Sequence, residues 1–597
     1  MTNNTIELTT KSIILGIFLS VILSAANTYL GLFAGMTVSA SIPAAILSMS
    51  ILRFFKKSSI LENNLVQTSA SAGESLAAGV IFTFPALVLI GYWTNFDYIE
   101  VTKIALIGGI LGALFTIPLR RTLIVEKKLL FPEGIATSKI LQSRTNEKLA
   151  KIILHSSLIG GIIKFFQQAL KFWNSTVEYI FKINNSIFGV ACDLSPALIG
   201  VGYIVGLNIG ILILIGGIIS WLIAIPIYTS IYPIEGNISN AAWTIWDSKI
   251  RFLGVGAMLI GGLWSVINLI KPVIKGIIAS INDENNNIQS KDISMKIILF
   301  IILILLFPLF TIYNSLLSNY LFSFIIIFLI IIISFIFSSI AGYMAGIVGS
   351  SNNPVSGITI ATILFSALFI RFVGFESNIG MVSSILFGAI ICCSSAIAGD
   401  NMQDLKTGYL LNATPWKQQV MQIIGVVSSA LTITFVLNVL HTAYGIGSPT
   451  LRAPQANLMK AVVEGVFNES LPWNWIYMGI VIGLIIIILD IVQEHRKSSF
   501  RFPVLAVAVG IYLPISLSIP IFIGSIISYK VNKKSNENGI LFASGLITGE
   551  AIMGILIAIP IFITGSATWW TNTFNFNIVG LLIFSYIAIK LYKVAKS

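Results

Sequence analysis

Long apolar stretches separated by short polar segments fill the sequence from end to end. Many of them reach the ~20 residues that an α-helix needs to cross the ~30 Å hydrocarbon core of a bilayer. Others are interrupted by glycine, proline and asparagine, which indicates re-entrant or broken helices. The pattern predicts an all-α polytopic membrane protein with about 16 transmembrane helices, within a range of about 14 to 18.

Two polar blocks, one near each end of the chain, repeat the same order of residues. Residues 41–96 and 518–574 both begin with Ser-Ile-Pro, pass through Lys-Lys and Glu-Asn to Gly-Glu, and end with Pro and Trp-Thr-Asn. In both copies the first helix ends at a lysine-rich loop and the Gly-Glu helix ends at an aromatic loop. The copies are therefore expected to be parallel internal repeats, an arrangement typical of transporters with a site near the bilayer midplane.

Composition supports the membrane assignment. Hydrophobic residues make up 56% of the 597 residues and charged residues only 10%, against roughly 25% charged residues in a soluble domain. The net charge of +12 does not indicate nucleic-acid binding, because the lysines and arginines are concentrated in short loops. This positive-inside pattern predicts a multi-pass protein of the plasma (inner) membrane with both termini in the cytoplasm.

The polar segment 276–296 is the one linker-like stretch. It is predicted to be a cytoplasmic loop that joins an N-terminal helical bundle, residues 1–275, to a C-terminal bundle, residues 297–597. Two of the three cysteines are adjacent, the three histidines are scattered, and neither set has metal-ligand spacing, so neither a bound metal nor a cofactor is expected.

Two acidic residues occupy matching positions in the repeat. Glu74 and Glu550 each follow a glycine and precede a glycine-containing apolar run. A charge inside an apolar span costs about 2.5–3.5 kcal/mol on insertion scales, so such residues tend to mark functional sites. Both glutamates are predicted to take part in proton coupling, and the alternative is a carboxylate that stabilises a helix N-terminus.

Two polar segments are candidates for substrate binding. In GSSNNPVSGITIATIL, residues 349–364, Asn353 suits a helix N-cap and Pro354 the first helical position. The free N–H groups of the following helix would favour a carboxylate, although the segment could also simply cap a helix. The segment ENNLVQTSASAGES forms a comparable polar helix start. The predicted substrate-binding residues are Asn352, Asn353, Ser356, Asn63, Asn64 and Gln67.

Two further segments carry charged residues. FPEGIATSKIL, residues 131–141, places Pro132 and Glu133 at the start of a short helix that we expect to be re-entrant. In residues 398–419 two aspartates lie one helical turn apart. A gating or coupling site is one interpretation, and a solvated cytoplasmic loop is the other. The predicted gating or coupling residues are Asp400, Gln403, Asp404, Lys406 and Glu133.

Several of these segments together resemble the oligopeptide transporter (OPT) family. The resemblance is carried by NTYLGLFAGMTVSASIPAA, ENNLVQTSASAGES, FPEG, SNNPVSGITIATIL, AGDNMQDLKTGYLLNATPWKQQ, PVLAVAVGIYLP and SGLITGEAIMGIL. The chain is most similar to the prokaryotic branch, which is related to the plant yellow-stripe-like transporters of metal chelates. The resemblance implies a helical symporter that imports small peptides or metal chelates together with protons. Thr137, Ser138 and Lys139 after FPEG depart from the family pattern, which puts a cation or proton role of that helix in doubt.

Other classes of protein fit less well. The sequence contains no G-x-x-x-x-G-K-[ST] motif for a nucleotide-driven pump and no HExxH or comparable set for an enzyme. The function predicted is thus a proton-coupled secondary transporter for small peptides or peptide-like metal chelates, and not an enzyme. A polar-filter channel or an exchanger for small organic solutes is the alternative. Expected partners are the substrate, protons and the lipid bilayer, without nucleic acid, and a homodimer is left open.

Overall fold

The structure of the protein is a computed structural model that describes residues 7–596 apart from a set of gaps. The gaps are residues 36, 38, 56–57, 127, 143–146, 234–235, 262, 265–266, 268–291, 351–352, 354, 376, 469–471, 499, 532–535 and 565–575. Most of the predicted linker 276–296, and Asn352 among the predicted substrate-binding residues, lie outside the described residues.

The chain is almost entirely helical. The elements of its first part are α1 (Thr10–Ala34), α2 (Ser41–Leu52), α3 (Ile60–Thr83), α4 (Pro85–Leu89), α5 (Tyr98–Arg120), α6 (Pro132–Gln142), α7 (Glu147–Lys164), β1 (Thr176–Ile183), β2 (Ser186–Asp193), α8 (Pro196–Val205), α9 (Leu207–Ile218), α10 (Ile225–Ile231), α11 (Ile238–Ile245) and α12 (251–261). The second part has α13 (Met295–Leu317), α14 (Tyr320–Val348), α15 (Val355–Val373), α16 (Ser377–Leu411), α17 (Pro415–Tyr444), α18 (Pro454–Phe467), α19 (Trp473–His495), α20 (Val504–Tyr512), α21 (Ile515–Lys530), α22 (Asn536–Thr564) and α23 (Asn577–Lys596). Four π-helical segments continue or join these helices: Arg121–Glu126, Phe165–Ala169, Ile219–Ala224 and Trp246–Ile250.

Twelve helices of the described chain are long and apolar enough to cross a membrane, which confirms the prediction of a polytopic membrane protein. Three further apolar helices, α2, α8 and α21, have between 10 and 17 residues. At 1.5 Å per residue, the 12 residues of α2 span only about 18 Å, well short of the ~30 Å hydrocarbon core. The expectation of about 16 crossings included such short helices, because hydropathy does not show where a helix breaks, and it stays a prediction.

The elements form two compact units, each built from two stretches of the chain. The first unit comprises Met1–Ala150 and Ser265–Glu469, and the second comprises Lys151–Trp264 and Ser470–Ser597. This grouping differs from the predicted order of bundles, because the stretch from Lys151 packs with the C-terminal stretch. The division into 1–275 and 297–597 depends on a loop that is mostly outside the described residues, and it stays a prediction.

Helices α3 and α16 form the buried centre of the first unit. α3 begins with a capping box in which Ser59 and Glu62 satisfy each other's backbone N–H groups. Small residues let the neighbouring helices approach closely: a Cβ on Gly73 would collide with Ser20 of α1, and one on Gly79 would lie 2.6 Å from the Cys393 sulfur of α16. The polar residues of α3 are consequently enclosed by protein instead of facing the exterior.

The second unit contains an antiparallel β-hairpin that the hydropathy pattern did not predict. β1 and β2 pair in register from Thr176 with Asp193 to Ile183 with Ser186. Asn184 in the turn has φ +53°, a left-handed conformation that asparagine tolerates better than most residues. The available signal was the alternating, β-branched and aromatic sequence TVEYIFKI before two asparagines.

The predicted polar break before residue 355 separates two helices of the first unit. α14 ends at Val348, Gly349 follows with φ +91°, and α15 begins at Val355. α6 also begins at Pro132, as its sequence predicts, and its 11 residues are too few to cross a bilayer. Short and interrupted helices therefore occur at both positions at which the sequence indicated them.

Candidate functional site

Glu74 lies on α3 and its side chain is buried. One carboxylate oxygen accepts a hydrogen bond from the side-chain amide of Asn27 on α1. The other accepts from the backbone N–H of Ala40, 3.2 Å away and directly before the first residue of α2. A carboxylate there complements the positive end of the α2 dipole. Glu74 thus links three helices through neutral donors.

Asp404 on α16 provides a second buried carboxylate in the same unit. Its Oδ1 accepts hydrogen bonds from the side chain of Gln67 and, at 3.2 Å, from the hydroxyl of Ser41. The Ser41 hydroxyl lies 3.0 Å from that of Ser71 on α3. The structure therefore brings the predicted binding residue Gln67 and the predicted coupling residue Asp404 together at the start of α2.

Asp400 and Glu133 extend the acidic group. Both lie within electrostatic range of Glu74. Asp400 is one helical turn before Asp404 and lies beside Ser75 and Ser350. The Ser350 hydroxyl donates a hydrogen bond to Glu133 of α6, which connects the break after α14 to the start of α6. Asp400, Asp404 and Glu133 of the predicted gating or coupling residues therefore lie in one region of the first unit.

This region has polar atoms that lack protein partners. Within the described residues, no lysine, arginine or histidine forms an ion pair with Glu74, Asp400 or Asp404. The buried side-chain atoms without a hydrogen-bond partner include Asp400 Oδ1, Asp404 Oδ2, Asn64 Oδ1, Gln422 Oε1 and both amide atoms of Asn401. Buried polar atoms in proteins are usually satisfied, so such a group needs water, a proton or a ligand.

The other predicted substrate-binding residues have local contacts. The Asn63 amide donates to the carbonyl of Ser59 at 2.9 Å, and the Asn64 amide donates to Gln67 at 3.3 Å. Asn353 donates to the carbonyl of Ala341 at 3.3 Å, while its own Oδ1 is buried and without a partner. Ser356 lies half-buried in the first turn of α15. Their assignment to substrate binding stays a prediction.

Gln403 and Lys406, predicted to act in gating or coupling, hold neighbouring backbone segments. Gln403 accepts from the N–H of Gly134 at 2.9 Å and donates to the carbonyl of Ala345 at 2.6 Å. Lys406 donates to the carbonyl of Leu129 at 2.9 Å. These bonds tie α6 and the segment before it to α14 and α16, so both residues position the helix that carries Glu133.

Glu550 of the second unit has different surroundings from Glu74. It lies buried on α22, where Lys164 Nζ is 3.3 Å from one carboxylate oxygen. The Ser195 hydroxyl lies 2.9 Å from both oxygens, and the N–H of Ala197 donates at 2.8 Å at the start of α8. Glu550 is therefore ion-paired and bonded on both oxygens. Its predicted part in proton coupling is untested.

Several residues of this arrangement were not predicted from the sequence. They are Asn27, Ser41, Ser71, Asn401 and Gln422 in the first unit and Lys164 and Ser195 in the second. Asn27, Asn401 and Lys164 are polar residues within helices, a signal that sequence alone provides. Which of them meet could not be predicted, because the contacts join helices that are far apart in the chain. Asn401 and Gln422 lie on consecutive helices, α16 and α17. The sequence did not predict that the Gln422 amide donates to the Asn401 carbonyl.

The arrangement can exchange a proton or hold a positively charged group, because its carboxylates have neutral partners. In the described residues, no cluster of at least three histidine, cysteine or acidic side chains has the geometry to hold a metal ion. Many membrane-spanning helices around buried polar residues define the class of the molecule as an integral, multi-pass membrane protein. The chain belongs to the oligopeptide transporter family, since the family described as "OPT oligopeptide transporter protein" matches residues 7–561.

Relatives of known name agree with this assignment. The chain is 34% identical over 581 residues to a Haemophilus influenzae protein named "Putative oligopeptide transporter", covering 89% of this chain and 92% of the relative. It is 24% identical over 609 residues to the metal-nicotianamine transporter YSL3 of Arabidopsis thaliana, covering 91% and 89%. It is 22% identical over 487 residues to the iron-phytosiderophore transporter YSL15 of Oryza sativa subsp. japonica, covering 74% and 71%. The predicted family is confirmed: the chain is a membrane transporter and not an enzyme.

Proposed function

We propose that the chain is a proton-coupled secondary transporter that imports small peptides or metal chelates of peptide-like ligands. The observation that supports the proposal is the group of buried Glu74 and Asp404 with half-buried Asp400, which in the described residues pairs with no basic side chain. Buried charges are stable only when they are compensated. A mobile proton, or a cationic group of the substrate, supplies the missing positive charge.

The names of the relatives support the choice of substrate class. They pair oligopeptides with metal complexes of nicotianamine and phytosiderophores. Peptides and amino-acid-derived chelators both offer carboxylate, amine and hydrogen-bonding groups. The unpartnered amide atoms of Asn64, Asn401 and Gln422 are suited to such a ligand. The helix start after the break at Gly349 is suited to a substrate carboxylate.

Proton binding at Glu74 has a direct structural consequence in this proposal. The ionised carboxylate accepts from Ala40 before α2 and from Asn27 on α1. Protonation removes the charge and weakens both bonds, because hydrogen bonds to ionised acceptors are about twice as strong as neutral ones. The position of the start of α2 is thereby linked to the occupancy of Glu74 by a proton.

The finer features of topology belong to the same proposal. About 16 crossings result if short helices such as α2, α8 and α21 combine with neighbouring segments to cross the membrane. The lysines near residue 596 favour cytoplasmic termini in the plasma membrane. Residues 41–96 and 518–574 would be parallel repeats, and a homodimer stays a prediction.

Uptake by purified protein in liposomes tests the function. The panel consists of trialanine, dialanine and the nickel(II) and iron(II) complexes of nicotianamine, each with and without an inward proton gradient. We expect at least one compound to accumulate against its gradient, with saturation, and a protonophore to abolish accumulation. Glu74→Gln should abolish accumulation while retaining exchange of labelled for unlabelled substrate. Uptake that neither saturates nor responds to the proton gradient would indicate a channel or exchanger and overturn the proposal.

A further inference from the structure

Glu74 and Glu550 each follow a glycine at a close contact between two helices. Gly73, directly before Glu74, lies so close to Ser20 of α1 that a Cβ would collide with it. Gly549, directly before Glu550, lies equally close to Ser157 of α7, although there the contact is with the serine backbone and not with its hydroxyl. Each glutamate is thus preceded by a glycine that packs against a serine of another helix. The pairs α1–α3 and α7–α22 are comparable at this point.

The correspondence extends along both helix pairs. One turn before Gly73, Ser69 lies against Gly16 of α1, and a Cβ on that glycine would be 3.0 Å from Ser69 Cβ. One turn before Gly549, a Cβ on Gly545 would collide with the Ser156 hydroxyl of α7 and would lie 2.7 Å from the Ile153 carbonyl. Residues 16 and 153 lie one turn before Ser20 and Ser157, respectively. The register of the two helix pairs therefore agrees over more than one turn.

The same register brings Asn27 and Lys164 to corresponding positions. Asn27 lies two helical turns after Ser20, and Lys164 lies two turns after Ser157. Asn27 donates to Glu74, and Lys164 donates to Glu550. Both glutamates also accept a backbone N–H at the start of a short apolar helix, from Ala40 or Ala197. The side chain that donates to the glutamate from the neighbouring helix is thus a neutral amide, Asn27, in the first unit and a charged amine, Lys164, in the second.

The ionisable groups around Glu74 reinforce this difference. α16 contributes Asp400 and Asp404, and α6 contributes Glu133. Basic residues on the helices around α3 have other partners or are exposed. The ion pairs are Lys11–Glu62, Arg120–Asp292, Arg121–Glu126, Lys417–Glu7 and Lys460–Glu464. Lys406 donates a hydrogen bond to the Leu129 carbonyl, and the side chains of Lys103 and Lys139 are exposed. Glu74 consequently has acidic neighbours and a neutral donor.

Around Glu550 the fixed cation is close and buried. Lys164 of α7 has a side chain that is only 7% exposed. Asp193, at the end of β2, is a second buried carboxylate of this region. The other basic residues on the neighbouring helices are exposed or half-buried. The exposed ones are His155 and Lys151 on α7, Lys530 on α21, and Lys593 and Lys596 on α23, and the half-buried one is Lys590 on α23.

We propose that the residue at the position shared by Asn27 and Lys164 determines which of the two glutamates exchanges a mobile cation. Lys164 supplies Glu550 with a permanent positive charge, so Glu550 holds the start of α8 in place and does not exchange protons. Asn27 leaves the charge of Glu74 to be balanced by a proton during transport. Asn27 and Lys164 are positioning residues, and the proposal rests on the proposed proton-coupled function.

Substitution of Asn27 by lysine or methionine tests this assignment. The two side chains have similar length, but only lysine carries a charge. The probe is trialanine or nickel(II)–nicotianamine, whichever the wild-type protein accumulates in liposomes. Both substitutions remove the amide and are expected to slow transport. N27M should still respond to the proton gradient, whereas N27K should lose that response and retain exchange of labelled for unlabelled probe. A gradient response in N27K equal to that in N27M would overturn the proposal.

A measurement without substrate separates this proposal from the proposed function. The melting temperatures of K164M, E550Q and the double variant are compared in detergent micelles. If Lys164 serves as the fixed counter-charge, E550Q should restore much of the stability lost in K164M. The corresponding cycle of N27K, E74Q and the double variant should show that E74Q destabilises N27K, because it removes the partner of the new lysine. Additive changes in the K164M–E550Q cycle would refute the counter-charge role. Failure of wild-type protein to respond to a proton gradient would instead refute the proposed function.

Discussion

The buried polar groups around Glu74 in the first unit are only partly satisfied, whereas the Glu550 carboxylate in the second unit is bonded on both oxygens. Asp404 Oδ2 and both amide atoms of Asn401 are buried without a partner. Glu550 has Lys164, Ser195 and a backbone N–H as donors. Burial of a charge therefore does not by itself indicate function. A charge with a full set of partners stabilises the fold, and one with missing partners is available to a ligand.

The largest difference between the two regions should be seen in stability. Lys164→Ala leaves the Glu550 carboxylate buried without its cation, a change that typically costs about 3–5 kcal/mol. Glu74→Gln keeps a side chain of the same size and an acceptor for one of the two donors, Asn27 or the Ala40 N–H, so the change should stay near the ~1 kcal/mol of one ordinary hydrogen bond. Thermal unfolding in detergent micelles measures both.

The controls for that comparison use conservative changes. Lys164→Arg retains the positive charge and should recover part of the stability that Lys164→Ala loses. The interpretation fails if Glu74→Gln destabilises the protein as much as Lys164→Ala does. Equal losses would mean that Glu74 is also a structural charge.

At Asp404 we expect the opposite result: a large loss of transport with little loss of stability. Asp404→Asn preserves the Oδ1 acceptor for Gln67 and Ser41 and replaces only the unpartnered Oδ2 by an amide group. Stability should change by no more than about 1 kcal/mol, while gradient-driven uptake falls strongly because one carboxylate charge is lost. Uptake in liposomes and melting temperature are measured on the same preparation. Asn438→Asp, a change on α17 at the Phe96 contact, is a control for purely structural effects. Wild-type uptake by Asp404→Asn would exclude a role for its charge.

The sequence predicted the membrane class, the family and most of the acidic residues of the candidate site. It did not predict the β-hairpin or the side chains that contact the glutamates, for physical reasons. Apolar stretches indicated helices, and a charge such as Glu74 is conspicuous in an apolar span. The hairpin of β1 and β2 was missed because its residues lie between stretches that dominate the hydropathy pattern. The repeat paired Glu74 with Glu550 but could not show that Asn27 and Lys164 face them. Those contacts depend on the register of α1 on α3 and of α7 on α22, which the packing of glycines determines.

A smaller effect is expected for Gln403, which holds the backbone around the acidic residues. Gln403→Leu removes the acceptor of the Gly134 N–H and the donor to the Ala345 carbonyl. Leaving buried backbone groups without partners should cost about 1–3 kcal/mol. Transport should slow because α6, which carries Glu133, is less firmly held, but the response to the proton gradient should persist. Gln403→Glu is the matched control, since it keeps the acceptor for Gly134. Loss of the gradient response in Gln403→Leu, with stability unchanged, would instead assign Gln403 to coupling.

The smallest effect is expected at the thiol of Cys192 in the hairpin of the second unit. Burial, together with the neighbouring Asp193, raises the pKa of this thiol to about 12. Because the thiolate is the reactive form, labelling by a water-soluble maleimide at pH 7.5 should be much slower than for an exposed cysteine, whose pKa is about 8.5. Tyr179→Cys on β1, at a strongly exposed position, is the matched reference in a Cys192→Ser background. Raising the pH from 7.5 to 9 should increase the labelling of Cys192 by roughly thirtyfold. At pH values below the pKa, each increase of one pH unit raises the thiolate fraction about tenfold. The hairpin assignment would be contradicted if Cys192 reacted as fast as the cysteine at position 179, because β2 would then not be packed as the structure shows.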